Sequence, residues 1–252
     1  MMADSTLYKY VLSLGDDALV SAQRLAQWTY KAPFLEEDIA LSNISLDLFG
    51  RANLYLEYAA ELKGGNTTAD HLAFKRNERQ FTNLLICEHP NGNFADTNVR
   101  NLFLDTFHKL FLEKLVESKD KQLAAIAEKA RKENSYHFRH SSSWVIRLGD
   151  GTKESNSKVQ TALNNLWMFT GELFEMNKVD LEMSSQKIGV DREALKPQWK
   201  SIITDVLTEA TLNIPEDVFM TSGGRDGIHT EHLGHLLSDM QYLQRAYPNA
   251  AW

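Results

Sequence analysis

Apolar residues recur at helical spacing along almost the whole chain, and no segment shows the strict alternation of a half-buried strand. The clearest pattern predicts a helix from about Lys121 to Leu148, with an apolar stripe formed by Leu123, Ile126, Ala130, His137, Ser141 and Trp144. Three more long helices are predicted over about 7–32, 36–62 and 95–117. The pattern therefore predicts an all-α protein.

Shorter helices are predicted between and after the long ones, over about 69–86, 157–176, 192–212 and 229–247. Turns rich in glycine, asparagine and proline separate them, and the stretch 177–190 gives mixed signals. Four long helices that follow one another in pairs are typical of a four-helix bundle.

We expect a single helical domain over 1–252. Its core bundle is predicted at about 5–149, with additional C-terminal helices at about 155–247.

The composition supports a helical protein and argues against nucleic acid and membrane as binding partners. Only 5 prolines and 13 glycines occur in 252 residues, which favours long helices over many turns. A formal net charge of −7 argues against nucleic acid, and no apolar run approaches the roughly 20 residues that cross a bilayer. Cys87 is the single cysteine, so no intrachain disulfide forms, which fits a reducing cytoplasm.

Four-helix bundles can hold two metal ions, so we tested the sequence for their ligands. The usual set is one Glu from each of two helices and a Glu-x-x-His from each of the other two. The first predicted helix offers Asp16 or Asp17. The second offers Asp47, with Gly50 where a histidine ligand is required. Asp is shorter than Glu and reaches the bundle axis less easily.

The other two long helices come closer to the pattern. Asp105 and His108 have the i, i+3 spacing, but they flank the apolar arc of their helix. Glu133 and His137 are four residues apart, with Tyr136 where the i+3 ligand belongs. We therefore expect no intact metal site and interpret these seven acidic and histidine residues as vestigial positions, held in buried ion pairs.

A second candidate site is the donor-rich segment 75–83, within the predicted helix 69–86. Arg76 and Arg79, one turn apart, could meet an anion or an acidic partner. Gln80 and Asn83 offer amides for directed hydrogen bonds. A solvated helix face explains the same composition.

Near the C-terminus, His232 and His235 share a helix face with Asp239 not far away, and this set resembles a mononuclear metal site at first sight. Their spacing is not the His-Glu-x-x-His of zinc proteases. Thr230 with Glu231 instead predicts the start of a helix, where acidic residues are favourable.

Several long stretches make the sequence similar to a known family. They are LGDDALVSAQRLAQW, DIALSNISLDLFGRA, LAFKRNERQFTNLL, PNGNFADT, ATLNIP and HTEHLGHLLSDMQYLQR, spread over nearly the whole chain. In them the sequence resembles the C subunits of the multicomponent 1,2-phenylacetyl-CoA epoxidases of aerobic bacterial phenylacetate degradation. The resemblance implies a ferritin-like four-helix bundle with additional C-terminal helices.

The resemblance also implies partners. The family's C subunit pairs with a related catalytic A subunit that carries the di-iron centre, and it has no intact centre of its own. A small B subunit bridges the assembly, and a reductase subunit supplies electrons from NADPH. The complete enzyme epoxidises the aromatic ring of phenylacetyl-CoA with dioxygen. This chain is thus expected to be a structural subunit without a cofactor.

Substrate contacts are implied as well. The A–C core of the family binds the CoA thioester, and some of the contacts come from positions that match Gln80, Phe81, Thr82 and Asn83 in this chain. A second stretch matches Leu181, Glu182 and Met183, where the sequence departs in detail from the family pattern. Arg76 or Arg79 could serve the phosphates of CoA.

The residues by themselves leave two other functions open. The chain could be a self-sufficient di-iron oxygenase or oxidase that uses the seven acidic and histidine positions. It could also be a CoA-ester-binding protein without an oxygenase partner. The resemblance favours the structural subunit of the epoxidase, located in the cytoplasm, with neither nucleic acid nor membrane among its partners.

Overall fold

The structure is a computed structural model that describes residues 5–216, 219–248 and 250. Over these residues the chain forms ten α-helices and no strand, which confirms the predicted all-α class and is consistent with a ferritin-like helical fold. No helix in these ranges is both long and apolar enough to cross a membrane.

In chain order the helices are α1 (Ser5–Ala26), α2 (Leu35–Lys63), α3 (Ala69–Phe74), α4 (Leu85–Glu88), α5 (Phe94–Leu115), α6 (Lys121–Gly149), α7 (Lys153–Leu166), α8 (Lys178–Ser185), α9 (Lys196–Glu209) and α10 (Glu231–Ala246). They fall into two compact units. The first contains α1 to α4 and α10, and the second contains α5 to α9. The expectation of a single domain stays a prediction.

The four predicted long helices are present as α1, α2, α5 and α6, and local signals explain their ends. Asn93 caps α5 by accepting hydrogen bonds from the backbone of the first turn, and Asp120 does the same for α6. The helix α2 ends at Gly64, whose φ of 70° suits glycine. Within the first unit α1 packs along α2, and within the second α5 packs along α6.

The predicted helix 69–86 is wrong as a continuous element. It consists of α3, a 3-10 turn at Glu78–Gln80, an extended stretch and the single turn of α4. Side chains take up the backbone groups that a continuous helix would have paired. Arg76 donates to the carbonyl of Leu72, and Gln241 of α10 donates to those of Ala73 and Arg76.

The second unit also corrects two boundaries. The predicted helix 157–176 already begins at Lys153 and ends at Leu166, followed by 3-10 turns at Trp167–Phe169 and Gly171–Leu173. The stretch with mixed signals contains α8, which Asn177 and Asp180 start with a reciprocal capping box.

An aromatic cluster fills the core of the second unit. Trp199 of α9 lies 5.6 Å from Phe103, 5.9 Å from Trp167 and 5.4 Å from Phe174, measured between ring centroids. The indole N–H of Trp199 donates to the carbonyl of Phe103 at 3.0 Å. This buried hydrogen bond fixes how α9 lies on α5.

Replacing Trp199 with Phe is expected to lower the free energy of unfolding by about 1–2 kcal/mol, because it removes this hydrogen bond and part of the ring contact. Urea unfolding followed by circular dichroism measures the change. The matched control is Tyr242→Phe on the exposed face of α10, with an expected change below about 0.5 kcal/mol. An equal effect of both substitutions would contradict the structural role of Trp199.

Candidate functional site

The predicted substrate-contact segment 80–83 leaves the 3-10 turn and runs extended into α4. Its side chains alternate between core and surface, as in any extended stretch. Phe81 and Asn83 are fully buried, Thr82 is partly exposed and Gln80 is exposed. Gln80 and Thr82 are therefore the two members of the segment that an external ligand can reach.

Two aspartates of α1 hold the backbone of this segment. One carboxylate oxygen of Asp16 accepts from the backbone N–H of Thr82 at 2.9 Å and from its hydroxyl at 3.1 Å. Asp17 accepts from the backbone N–H of Leu84 at 2.8 Å. Both aspartates are buried, so these N–H groups are satisfied without water.

Two arginines neutralise the aspartates and bind the same segment. Arg76 forms a bidentate ion pair with Asp16 and donates to the carbonyl of Gln80 at 2.8 Å. Arg225 forms a second bidentate pair with Asp17, at 2.6 and 3.0 Å, and donates to the carbonyl of Thr82 at 2.6 Å. We call Asp16, Asp17, Arg76 and Arg225 the ion-pair cradle. Such forked, charge-assisted contacts are stronger than neutral hydrogen bonds and fix geometry.

The two arginines that sequence analysis proposed as anion ligands differ in access. Arg76 is buried in the cradle, with its guanidinium carbon 4.0 Å from the centre of the Phe81 ring. Arg79 is exposed, and its side chain makes no hydrogen bond or ion pair within the described residues. Of the two, Arg79 is the one available to an anion.

A second buried pair lies next to the cradle. Glu88 accepts from the backbone N–H of Thr230 at 2.6 Å and from the Asn83 amide at 2.9 Å. Nδ1 of His229 lies 2.8 Å from a Glu88 oxygen, and its Nε2 lies 2.9 Å from the carbonyl of Phe81. Burial alone lowers the pKa of His229, but the bonds to Glu88 and Phe81 outweigh it and raise that pKa above its usual value.

Burial shifts the pKa values of two further side chains near the site, Tyr8 and Arg24. It raises the pKa of Tyr8, while nearby Arg76 opposes and Asp16 reinforces the shift. It lowers the pKa of Arg24, which Glu88 partly offsets. Arg24 also donates to the carbonyl of Glu88 at 2.9 Å and so supports α4.

An open groove of about 840 Å³ runs beside the exposed end of the segment. Its walls are the turn that contains Arg79 and Gln80 and the face of α10 that carries Gln241, Tyr242 and Arg245. Both walls belong to the first unit. The groove gives Gln80 and Arg79 an accessible polar surface.

The α1 carboxylates do not fit a dinuclear metal centre. The charges of Asp16 and Asp17 are neutralised by Arg76 and Arg225, whose guanidinium groups occupy both carboxylates. Among the residues described, no group of three or more His, Cys, Asp or Glu side chains is arranged to hold a metal ion.

The remaining predicted metal positions lie on three other helices. On the second unit, Asp105 accepts from the hydroxyl of Ser141 at 2.8 Å, and Glu133 pairs with Lys129 at 3.7 Å. His137 is buried on α6, and His108 is partly exposed on α5. On the first unit, Asp47 is partly exposed on α2.

The second predicted contact stretch lies on α8 in the other unit. Leu181 and Glu182 are exposed there, whereas Met183 is fully buried. Their role in binding stays a prediction.

Sequence reasoning missed Arg225, Glu88 and His229 as members of the site. Arg225 is 208 residues away from its partner Asp17, so no local pattern indicates the pair. One local signal exists at Gly227, whose φ of 73° and close approach to the carbonyl of Arg79 leave no room for a side chain. The predicted start of α10 is confirmed, since Thr230 is its N-cap.

Comparison with known proteins gives the class to which this fold and site belong. The model of the phenylacetic acid catabolic protein family matches residues 1–252, and the chain belongs to that family. Within it, the chain is 50% identical over 246 residues to the C subunit of 1,2-phenylacetyl-CoA epoxidase from Escherichia coli (strain K12). The match covers 98% of this chain and 99% of the relative.

Replacing Arg76 with Met is expected to lower the free energy of unfolding by about 3–5 kcal/mol, because it leaves the buried charge of Asp16 without its partner. The double variant Asp16→Asn with Arg76→Met should lose clearly less, since the unpaired charge is then absent. Arg79→Met, on the exposed arginine, is the control. Urea unfolding measures the free energy of unfolding of these variants and of the single variant Asp16→Asn. A loss in the double variant equal to the sum of the losses in the two single variants, Asp16→Asn and Arg76→Met, would contradict the ion pair.

Proposed function

We propose that this chain is the C subunit of a 1,2-phenylacetyl-CoA epoxidase and acts as a structural, non-catalytic subunit in phenylacetate catabolism. The observation that carries the proposal is the 50% identity to a relative named as that subunit. Because the match spans nearly all of both chains, the likeness extends beyond one shared helix pair.

The cradle supports a non-catalytic role. A dinuclear metal site requires carboxylates with free oxygens and no competing cations nearby. In this chain Arg76 and Arg225 provide the positive charge that metal ions would otherwise bring to Asp16 and Asp17. The chain accordingly carries no cofactor, and the di-iron centre belongs to the A subunit.

The A subunit is the proposed stable partner, and together they form the heteromeric core. A partner that binds only the folded form stabilises it by mass action, and the same holds in return for the A subunit. The B subunit and the NADPH-dependent reductase complete the cytoplasmic assembly.

A contribution to the CoA-ester site is the finer part of the proposal. The side-chain oxygen of Gln80 accepts from the backbone N–H of Asn77 at 2.7 Å. The side-chain NH₂ group of Gln80 is then available to donate to a ligand. Arg79 adds an exposed cation next to it, and the groove along α10 extends the polar surface. Amide donors suit the pantetheine arm of CoA, and a guanidinium suits its phosphates. The stretch Leu181, Glu182 and Met183 on α8 is a separate candidate contact, proposed only from the resemblance to the family.

Co-expression with the A subunit and metal quantification test the structural role. The two chains should co-purify, and iron should follow the A subunit, with well below one iron per chain in this subunit alone. Near two irons per chain in the isolated subunit would instead establish a self-sufficient di-iron protein. A chain that binds CoA esters but fails to co-purify would establish a separate CoA-ester-binding protein.

Replacing Gln80 with Glu tests the substrate contact. The new carboxylate keeps the acceptor for Asn77, removes the donor and repels the anionic CoA, so the KM of the reconstituted complex for phenylacetyl-CoA should rise about ten-fold. Gln122→Glu, the same change on an exposed residue at the start of α6, should leave KM unchanged. An unaltered KM in the Gln80 variant would remove this residue from the site.

A further inference from the structure

Both ring nitrogens of His229 face acceptors, although the side chain is only 4% exposed. Nδ1 faces a carboxylate oxygen of Glu88 at 2.8 Å, and Nε2 faces the backbone carbonyl of Phe81 at 2.9 Å. A neutral imidazole carries one N–H and one lone pair, so it can satisfy only one of these acceptors. An imidazolium carries two N–H groups and satisfies both.

Hydrogen-bond donors surround the side chain of Glu88. Besides His229, the backbone N–H of Thr230 and the side-chain amide of Asn83 donate to it. A carboxylate offers acceptors only, so three converging donors match it without competition. The geometry of this pair, buried next to the extended segment, therefore favours an imidazolium at His229.

Each carbonyl from Gln80 to Thr82 faces the side chain of one basic residue. Arg76 binds that of Gln80, His229 that of Phe81 and Arg225 that of Thr82. An arginine stays charged at every physiological pH, whereas histidine titrates near neutrality. His229 is consequently the donor in this row whose charge can change under cellular conditions.

We propose that His229, as an imidazolium, is a positioning residue for the CoA-ester contact: it fixes the carbonyl of Phe81 and so sets the direction in which Gln80 and Thr82 face the ligand. The inference rests on the proposed function. His229 itself touches no substrate and acts through the backbone of the segment.

The charges around His229 determine the sign of its pH dependence. Glu88 on α4 and Asp16 on α1 favour the charged ring, and burial opposes it. Arg24 on α1 donates to the backbone carbonyl of Glu88 and interacts with Asp239 on α10. Arg225, in the same loop as His229, pairs with Asp17. Since the pKa of folded His229 is raised, its contribution is complete below the unfolded value of 6.5 and is lost as the pH rises through the folded value.

The first test compares His229→Gln with His235→Gln in the complex reconstituted with its partner subunits. Glutamine offers one donor group to two acceptors and no charge, so the KM for phenylacetyl-CoA should rise on the order of ten-fold with kcat nearly unchanged. His235 is exposed on α10, and its variant should match the wild type. A wild-type KM for His229→Gln, while Gln80→Glu raises KM, would overturn the inference and leave the proposed function standing.

If neither variant changes KM, the segment does not contact the ester, and both the inference and the proposed contact fail.

The second test needs no substitution and works if His229→Gln does not fold. Nitrogen chemical shifts of the wild-type chain, with ¹⁵N-labelled histidine, report the protonation of each ring. The His229 signal should show two protonated nitrogens at neutral pH and titrate above 6.5. The KM of the wild-type complex should rise over the same pH range. A neutral His229 at pH 7, or a KM that does not follow its titration, would overturn the inference.

Discussion

The charges of Asp16 and Asp17, buried side by side on α1, are the constraint on which the site depends. A buried carboxylate without a counter-charge costs several kcal/mol, so the chain must bring cations to both. Arg76 and Arg225 do this from segments 60 and 208 residues away. In pairing with them, the arginines also fix the backbone from Gln80 to Thr82. One electrostatic requirement thus joins α1, the broken helix after α3 and the loop before α10.

The same requirement connects the fold to the proposed function. A pair of acids on a long helix is the kind of feature that ferritin-like bundles use to bind metals, and here guanidinium groups neutralise it instead. A guanidinium group supplies several hydrogen bonds in fixed directions as well as a charge, so the cradle holds the backbone of this irregular segment in place. A rigid extended segment presents alternate side chains to the outside, and Gln80 and Thr82 face the surface for that reason.

Local rules of the sequence predict the helices well and the site only in part. Asn93, Asp120 and Gly64 mark helix ends through caps and a left-handed backbone, and such signals lie within a few residues. The predicted helix 69–86 is not continuous because the backbone N–H groups of Thr82 and Leu84 donate to Asp16 and Asp17. These aspartates lie more than 60 residues away in sequence, so the residues around position 80 do not indicate them.

The same reason hides Arg225 and His229, whose partners are more than 140 residues away. The sequence does indicate the acids as candidates, since Asp16 and Asp17 form an adjacent pair on a predicted helix. What the sequence does not reveal is which cation balances their charge, an arginine or a metal ion. Those partners become visible only once the chain is folded.

Hydrogen–deuterium exchange on the proposed complex of this chain with the A subunit, with and without phenylacetyl-CoA, tests most directly whether this chain is a structural subunit that shares the substrate site. Exchange should slow in the peptide that covers 77–84 when the ester binds, and Gln80→Glu should weaken that protection at an ester concentration near the wild-type KM. Unchanged exchange over 77–84, with protection confined to the A subunit, would contradict a substrate contact from this chain.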